Sequence, residues 1–149
     1  MARFRNVEAA EDTPVEAWPL EALRAALERG DLRDYRRVAQ AIRSSPWGPA
    51  ARRVEEVLGF AQPYGVTEIM RRQIAHARAE RDRAEREWVM AELRAALESS
   101  GMTQKDFAAA LGTSPSRLST YLAGRVVPAA TLLARARSVA GCTDPPAPS

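Results

Sequence analysis

The chain has 149 residues, with 22 Lys or Arg against 19 Asp or Glu, a single His and a single Cys. Such a length fits one domain or two small ones, and an apolar fraction of 46% with a charged fraction of 28% is ordinary for a globular protein. One cysteine, Cys142, excludes an internal disulfide framework and a multi-cysteine zinc site. No run approaches the roughly 18 apolar residues of a membrane span, and the charged start MARFRNVEAAED is unlike a secretory signal, so a cytoplasmic protein with no membrane partner is expected.

Composition favours helix, with 29 Ala and 21 Arg, and no segment has strand periodicity. The expected class is all-α. Residues 1–17 are polar and aperiodic and read as a mobile arm. From Pro19 the spacing turns helical, with Leu20, Leu23 and Leu27 on one face and Gly30 ending the run. Asp31 can cap a second helix, whose stripe is Leu32, Tyr35, Val38, Ala39 and Ile42 and which stops at Ser44-Ser45-Pro46. Pro46-Trp47-Gly48-Pro49 reads as a rigid turn, with Pro49 suited to the first turn of a third helix that buries Val54, Val57 and Leu58, with Phe60 a further candidate for that face. Gln62-Pro63-Tyr64-Gly65 breaks the chain again. Residues 18–65 therefore read as a small helical unit for dimerisation or partner binding, and Trp18, Trp47, Phe60 and Tyr64 are its aromatic contact candidates.

Between Val66 and Gly101 there is neither Gly nor Pro, so residues 66–99 have room for one helix about 50 Å long. Its middle, residues 78–87, is almost purely charged, and Asp82–Arg86 and Glu80–Arg83 fall within pairing distance along a helix. Two readings stay open. One is a solvated connecting helix. The other is a coiled coil with Ile74 and Trp88 at one core position and Met70, Ala77, Ala84 and Ala91 at the other.

Residues 88–140 carry the most information. Val89, Leu93 and Leu97 form a stripe that ends at Ser99-Ser100-Gly101. Thr103 can then cap a short helix Gln104–Leu111, with Asp106 answering it and Met102 and Phe107 placed as a hydrophobic staple. Gly112 stops that helix. Ser114 and Pro115 open another, stabilised by Leu118, Tyr121 and Leu122, which runs to Ala123 and ends at Gly124. Two short helices joined through a glycine turn are a helix-turn-helix pattern. The stretch from Gln104 to Gly124, with small Ala108, Gly112 in the turn, Leu118 and the closing Ala-Gly-Arg before Pro128, resembles the Cro and phage-repressor type, also called the xenobiotic-response-element (XRE) family.

That resemblance implies a five-helix, repressor-like domain. Its first helix would end near Leu97, its fourth would start at Pro128 and contain Leu132, Leu133 and Ala136, and its fifth would be short or missing. It also implies that the second motif helix enters the major groove of double-stranded DNA. With Leu118 turned inward, Ser116, Thr120 and Ala123 point outward and Arg117 and Ser119 lie on the flanks. Arg117 fits guanine, whose two acceptors match a guanidinium fork. Ser116, Ser119 and Thr120 are further base or backbone candidates. Gln104, Lys105, Ser114 and Arg125 are candidates for phosphate.

The charge agrees with this reading once divided along the chain. Residues 1–67 carry ten Arg against ten acids, residues 68–98 seven against seven, and residues 99–149 five cations against Asp106 and Asp144. The whole surplus of +3 lies with the helix-turn-helix. Nothing points to catalysis, a cofactor or a metal: His76 and Cys142 lack partners, Glu55 and Glu56 point apart on a helix, and no phosphate loop or nucleophile elbow occurs. Tyr121 shares the stripe of Leu118 and Leu122 and is expected in the core. The expectation is a DNA-binding repressor acting as a homodimer. The alternative is an antitoxin-like protein that binds a protein partner through residues 18–65 and represses its own promoter. Residues 141–149 read as a disordered tail.

Overall fold

The computed structural model describes residues 13–141. A 3-10 turn at Val15–Ala17 is followed by seven α-helices and, among the described residues, no strand. They are α1 (Leu20–Arg29), α2 (Leu32–Ser44), α3 (Pro49–Phe60), α4 (Thr67–Ser100), α5 (Gln104–Leu111), α6 (Pro115–Leu122) and α7 (Ala130–Val139). The chain divides into two compact units that meet in sequence between Arg81 and Asp82, within α4, and each unit has its own hydrophobic core.

In the first unit most of the periodic residues do what their spacing predicts, although Leu32, expected in the stripe of α2, and Phe60, a candidate for the buried face of α3, are exposed. α1 buries Leu23, Ala26 and Leu27. The Asp31 carboxylate accepts from the amides of Arg33 and Asp34 at 2.8 and 3.1 Å, which satisfies two of the orphan donors that open α2. α2 then buries Val38, Ala39, Ala41 and Ile42, and its Tyr35 hydroxyl donates to the Leu27 carbonyl at 3.1 Å, tying it to the end of α1. Pro49 stands in the first turn of α3, which buries Ala50, Ala51, Val54, Val57 and Leu58.

Two features of this unit depart from the sequence reading. The arm was expected through residue 17, yet residues 13–17 are built into the core, Val15 being buried in the 3-10 turn. The cause is Trp18, which is 3% exposed. A buried indole needs a partner for its N–H, and Trp18 Nε1 donates to the Thr13 carbonyl at 3.0 Å. Arg37 lies 4.8 Å from the centre of the indole ring and donates to the same carbonyl at 2.8 Å. Arg53 Nη1 donates to the Glu16 and Trp18 carbonyls at 2.8 and 2.7 Å. A three-residue turn has no periodicity to betray it. Trp18 also leaves the set of aromatic contact candidates, whereas Trp47, Phe60 and Tyr64 are exposed.

The second departure is at residue 65, where the unit does not end. Met70, Ile74 and Ala77 of α4 are buried in the first core, and burial of Met70 and Ile74 contributes roughly 1.5–3 kcal/mol each. Arg78 fixes the same stretch: its guanidinium forms a two-pronged pair with Glu55 at 2.7 and 3.0 Å and donates to the Pro46 carbonyl at 3.0 Å. Three of the six residues of the coiled-coil seam are thereby occupied inside one chain. Residues 79–88 are exposed throughout, as expected of a solvated connecting helix. The expected arm before residue 13, Cys142 and the expected tail from residue 142 lie outside the described residues.

Trp18→Ala should lower the stability of the first unit by about 3–5 kcal/mol, because a large cavity opens under Arg37 and the Thr13 carbonyl loses a donor. Urea unfolding followed by helical circular dichroism measures this, and a loss below about 1 kcal/mol would show that residues 13–18 are not core.

Candidate nucleic-acid interface

The second unit is assembled around Phe107, Ala108, Leu111 and Leu118, all fully buried, with Leu93 and Ala96 of α4 and Leu132 and Ala136 of α7. The C-terminal turns of α4 therefore act as the first helix of this unit. α5 packs on both α6 and α7. Buried Ala108 offers only a methyl group, which permits close helix approach.

The caps follow the sequence. Thr103 Oγ1 accepts from the Asp106 amide at 3.1 Å and donates to the Asp106 carboxylate at 2.7 Å, so Asp106 answers the cap through the hydroxyl. Met102, the outer half of the expected staple, stays exposed, while Phe107 is buried. α5 then closes on Gly112 at φ +73°, with the Gly112 amide donating to the Ala109 carbonyl at 3.1 Å and the Thr113 amide to the Ala108 carbonyl at 3.0 Å. The same closure ends α6. Gly124 stands at φ +71°, its amide donates to Tyr121 at 3.0 Å, and the Arg125 amide donates to Thr120 at 3.2 Å. Both positions need the left-handed backbone that glycine adopts without a steric penalty. At Gly124 a Cβ would also meet the end of the Met90 side chain of α4, which would have to shift.

With Leu118 inward and Tyr121 and Leu122 half-buried against the core, the opposite side of α6 is free. Ser116, Arg117, Ser119 and Ala123 are exposed and Thr120 is partly so. The Arg117 guanidinium makes no hydrogen bond or ion pair with any described residue. Ser114 Oγ accepts from the Arg117 amide at 3.1 Å, which leaves its own hydroxyl proton free to donate outward. The Thr120 hydroxyl donates to the Ser116 carbonyl at 3.0 Å, so what it offers outward is an acceptor oxygen and a methyl group. Gln104 and Lys105 are exposed on the first turn of α5, and Arg125 is exposed just past Gly124.

Two residues that position the motif escaped the sequence reading. Arg94 of α4 donates through Nη2 to the Leu122 carbonyl at 2.7 Å, at the end of α6. Arg135 of α7 donates through Nη1 to the Leu111 carbonyl at 3.0 Å, at the end of α5. Each places a cation where the last carbonyls of a helix are unsatisfied and the dipole is negative. The signal was present only as two arginines among many, since neither is near its partner in sequence. The expected fourth helix is α7, which begins at Ala130 and is preceded by buried Pro128. The position of a fifth helix, beyond Gly141, is outside the described residues.

Residues 75–147 match a family model described as a helix-turn-helix domain, the fold of DNA-binding regulators. No curated protein and no solved structure matches the chain. The second unit thus carries a helix-turn-helix. The described residues include no helix long and apolar enough to cross a membrane and no cluster of potential metal ligands.

Gly124→Ala combines left-handed strain with the Met90 contact and should destabilise the second unit by about 1–3 kcal/mol. Adding Met90→Ala to Gly124→Ala should recover the steric part and leave the backbone part. Equal stability of Gly124→Ala and wild type in thermal unfolding would contradict both effects at once.

Proposed function

We propose that the protein is a sequence-specific regulator that binds double-stranded DNA through α6, belongs to the XRE type and acts as a homodimeric repressor in the cytoplasm. One observation carries the reading. A short helix is held by a buried Leu118, a serine cap and two glycine closures so that Ser116, Arg117 and Ser119 face outward at its first turns. Recognition helices of this kind touch base edges with their N-terminal residues. In this reading Arg117 contacts guanine, and Ser116, Ser119 and Thr120 complete the base-facing row. Gln104, Lys105, Ser114 and Arg125 contact phosphate. Thr120, its proton already engaged, serves through its methyl group against thymine or through its oxygen as an acceptor.

One such helix reads only a few base pairs. Useful specificity calls for two copies on half-sites about 34 Å apart, or a multiple of that. Exposed Trp47, Phe60 and Tyr64 of the first unit are the apolar surface that supports self-association. The same residues support a second reading, in which the first unit binds a different protein and the helix-turn-helix represses that pair's own promoter. Molar mass from sedimentation separates the two: a species of twice the chain mass favours the homodimer, and a monomer that associates only with the product of a neighbouring reading frame favours the second.

Arg117→Ala should cost about 1–3 kcal/mol, roughly 5- to 150-fold in affinity, on the preferred duplex, and should relax the preference at one base position. Band shifts on matched and substituted duplexes measure it. Unchanged affinity together with unchanged preference would remove α6 as the reading helix. Selection from a random duplex pool should also enrich a single palindrome, and an enriched site without two-fold symmetry would argue against the homodimer.

A further inference from the structure

Residues 1–67 are balanced in total charge, but their charges are not spread evenly. Within α2, Arg33, Arg36, Arg37 and Arg43 stand against Asp34 alone. At 100° per residue the four arginines, with Gln40 and Ser44, occupy one side of the helix, opposite the buried Val38 and Ile42. That side lines an open groove of about 700 Å³, closed on its other edge by Pro14, Val15 and Glu16.

Two of the groove's cations, Arg37 and Arg43, are held by neutral groups. Arg37 lies over the Trp18 ring and donates to the Thr13 carbonyl. Arg43 donates to the Gln40 side-chain oxygen at 2.8 Å. Arg36 is exposed and bonds to no described residue. Among the described residues, Glu16 is the one acidic side chain that lines the groove. Three guanidiniums therefore keep most of their donors and all of their charge available to an external anion.

We infer that the arginine side of α2 is a second nucleic-acid contact, a non-specific one that grips the sugar-phosphate backbone of duplex DNA. This rests on the DNA-binding reading of the second unit, which brings a duplex to the chain. Arg36 and Arg43 are about 10 Å apart along the helix axis, and a duplex carries one negative charge per about 1.7 Å, so that span faces several phosphates. Guanidinium forks match phosphate oxygens in two-pronged geometry. An acidic protein segment would find the same charge but no large apolar anchor, because the groove's apolar side chains are Pro14, Val15 and Ala41 and Trp18 is sealed beneath Arg37. Protein interfaces depend on such anchors. A backbone contact carries no sequence information, and so it requires no particular base beneath it.

The test uses the full chain, a mixed-sequence duplex and the selected duplex, each titrated over a range of KCl concentrations. Arg36→Gln with Arg43→Gln removes two exposed charges and leaves Arg37 and the Trp18 packing in place. The slope of log affinity against log salt should become shallower by about 1.8 on both duplexes, at about 0.9 per lost phosphate contact. Affinity near 0.1 M salt should fall at least roughly tenfold while the sequence preference stays unchanged. Arg36→Lys with Arg43→Lys should keep the wild-type slope. If wild type binds with an Arg117-dependent preference but the Gln pair keeps the wild-type slope, the α2 contact is overturned and the α6 reading stands. If wild type binds neither duplex, both fall together.

Discussion

Leu118 fixes the rotation of α6, and the candidate interface depends on that single buried side chain. A helix of eight residues is far below the length that persists in water by itself. It exists here because Leu118 enters the core with Phe107, Leu111 and Leu93, and because its ends are satisfied from outside its own sequence. Ser114 closes the first turn, Gly124 and the Arg94 guanidinium close the last, and Gly112 sets the turn that aims the helix. Rotate α6 by one residue and Arg117 would face the core, where a buried cation without a partner is far costlier than a lost methyl contact. The outward row of Ser116, Arg117 and Ser119 is thus the complement of a packing constraint.

Arginine serves two physically distinct purposes in this chain. Arg53, Arg94 and Arg135 direct their donors at backbone carbonyls on other elements, and Arg78 adds a carboxylate to a carbonyl. A guanidinium suits this because it has five donors at the end of an apolar stem, so it can cross a packed surface and still satisfy a helix end. Arg36, Arg43 and Arg117 stand on free helix surfaces. A census of charge treats both groups alike, although only the second directs no donor at a backbone carbonyl or a carboxylate and so leaves donors for phosphate or base.

This distinction also marks what the sequence could and could not reveal. Helices α1 to α3, the long α4 and the motif pair were legible because each announces itself locally. Apolar residues recur at 3 and 4 spacing, Asp31, Thr103 and Ser114 sit where caps belong, and Gly112 and Gly124 stand where left-handed closures are needed. The fixed turn at residues 13–17 was not legible, because its order comes from Trp18, Arg37 and Arg53, one of them 35 residues beyond its partner. For the same reason Met70, Ile74 and Ala77 gave two equally periodic readings. A stripe on a helix says that something covers it, and only the fold says whether the cover is the same chain. In the candidate site, the exposure of Ser116, Arg117 and Ser119 followed from the position of Leu118, whereas the engaged Thr120 hydroxyl and the Arg94 and Arg135 anchors required coordinates.

The charge of the chain takes on a more specific meaning from these assignments. Of the five cations in residues 99–149, Arg135 is directed at the Leu111 carbonyl and Arg117 is assigned to a base, which leaves Lys105, Arg125 and Arg137 on the surface for phosphate. Three contacts correspond to a salt slope of only about −2.7 per protomer, too shallow to hold a small unit on DNA at physiological salt. Arg36 and Arg43 would steepen that slope by about two thirds without adding sequence information. Acidic residues elsewhere in residues 1–67 oppose them, so that stretch has a basic helix side and no net charge. A strongly cationic first unit would raise affinity for every duplex and lose the operator among competing sites. Confining the cations to one helix side gives backbone contact where the duplex lies along it, while long-range attraction stays weak. In the proposed reading, discrimination then rests on α6 and on a second copy of it.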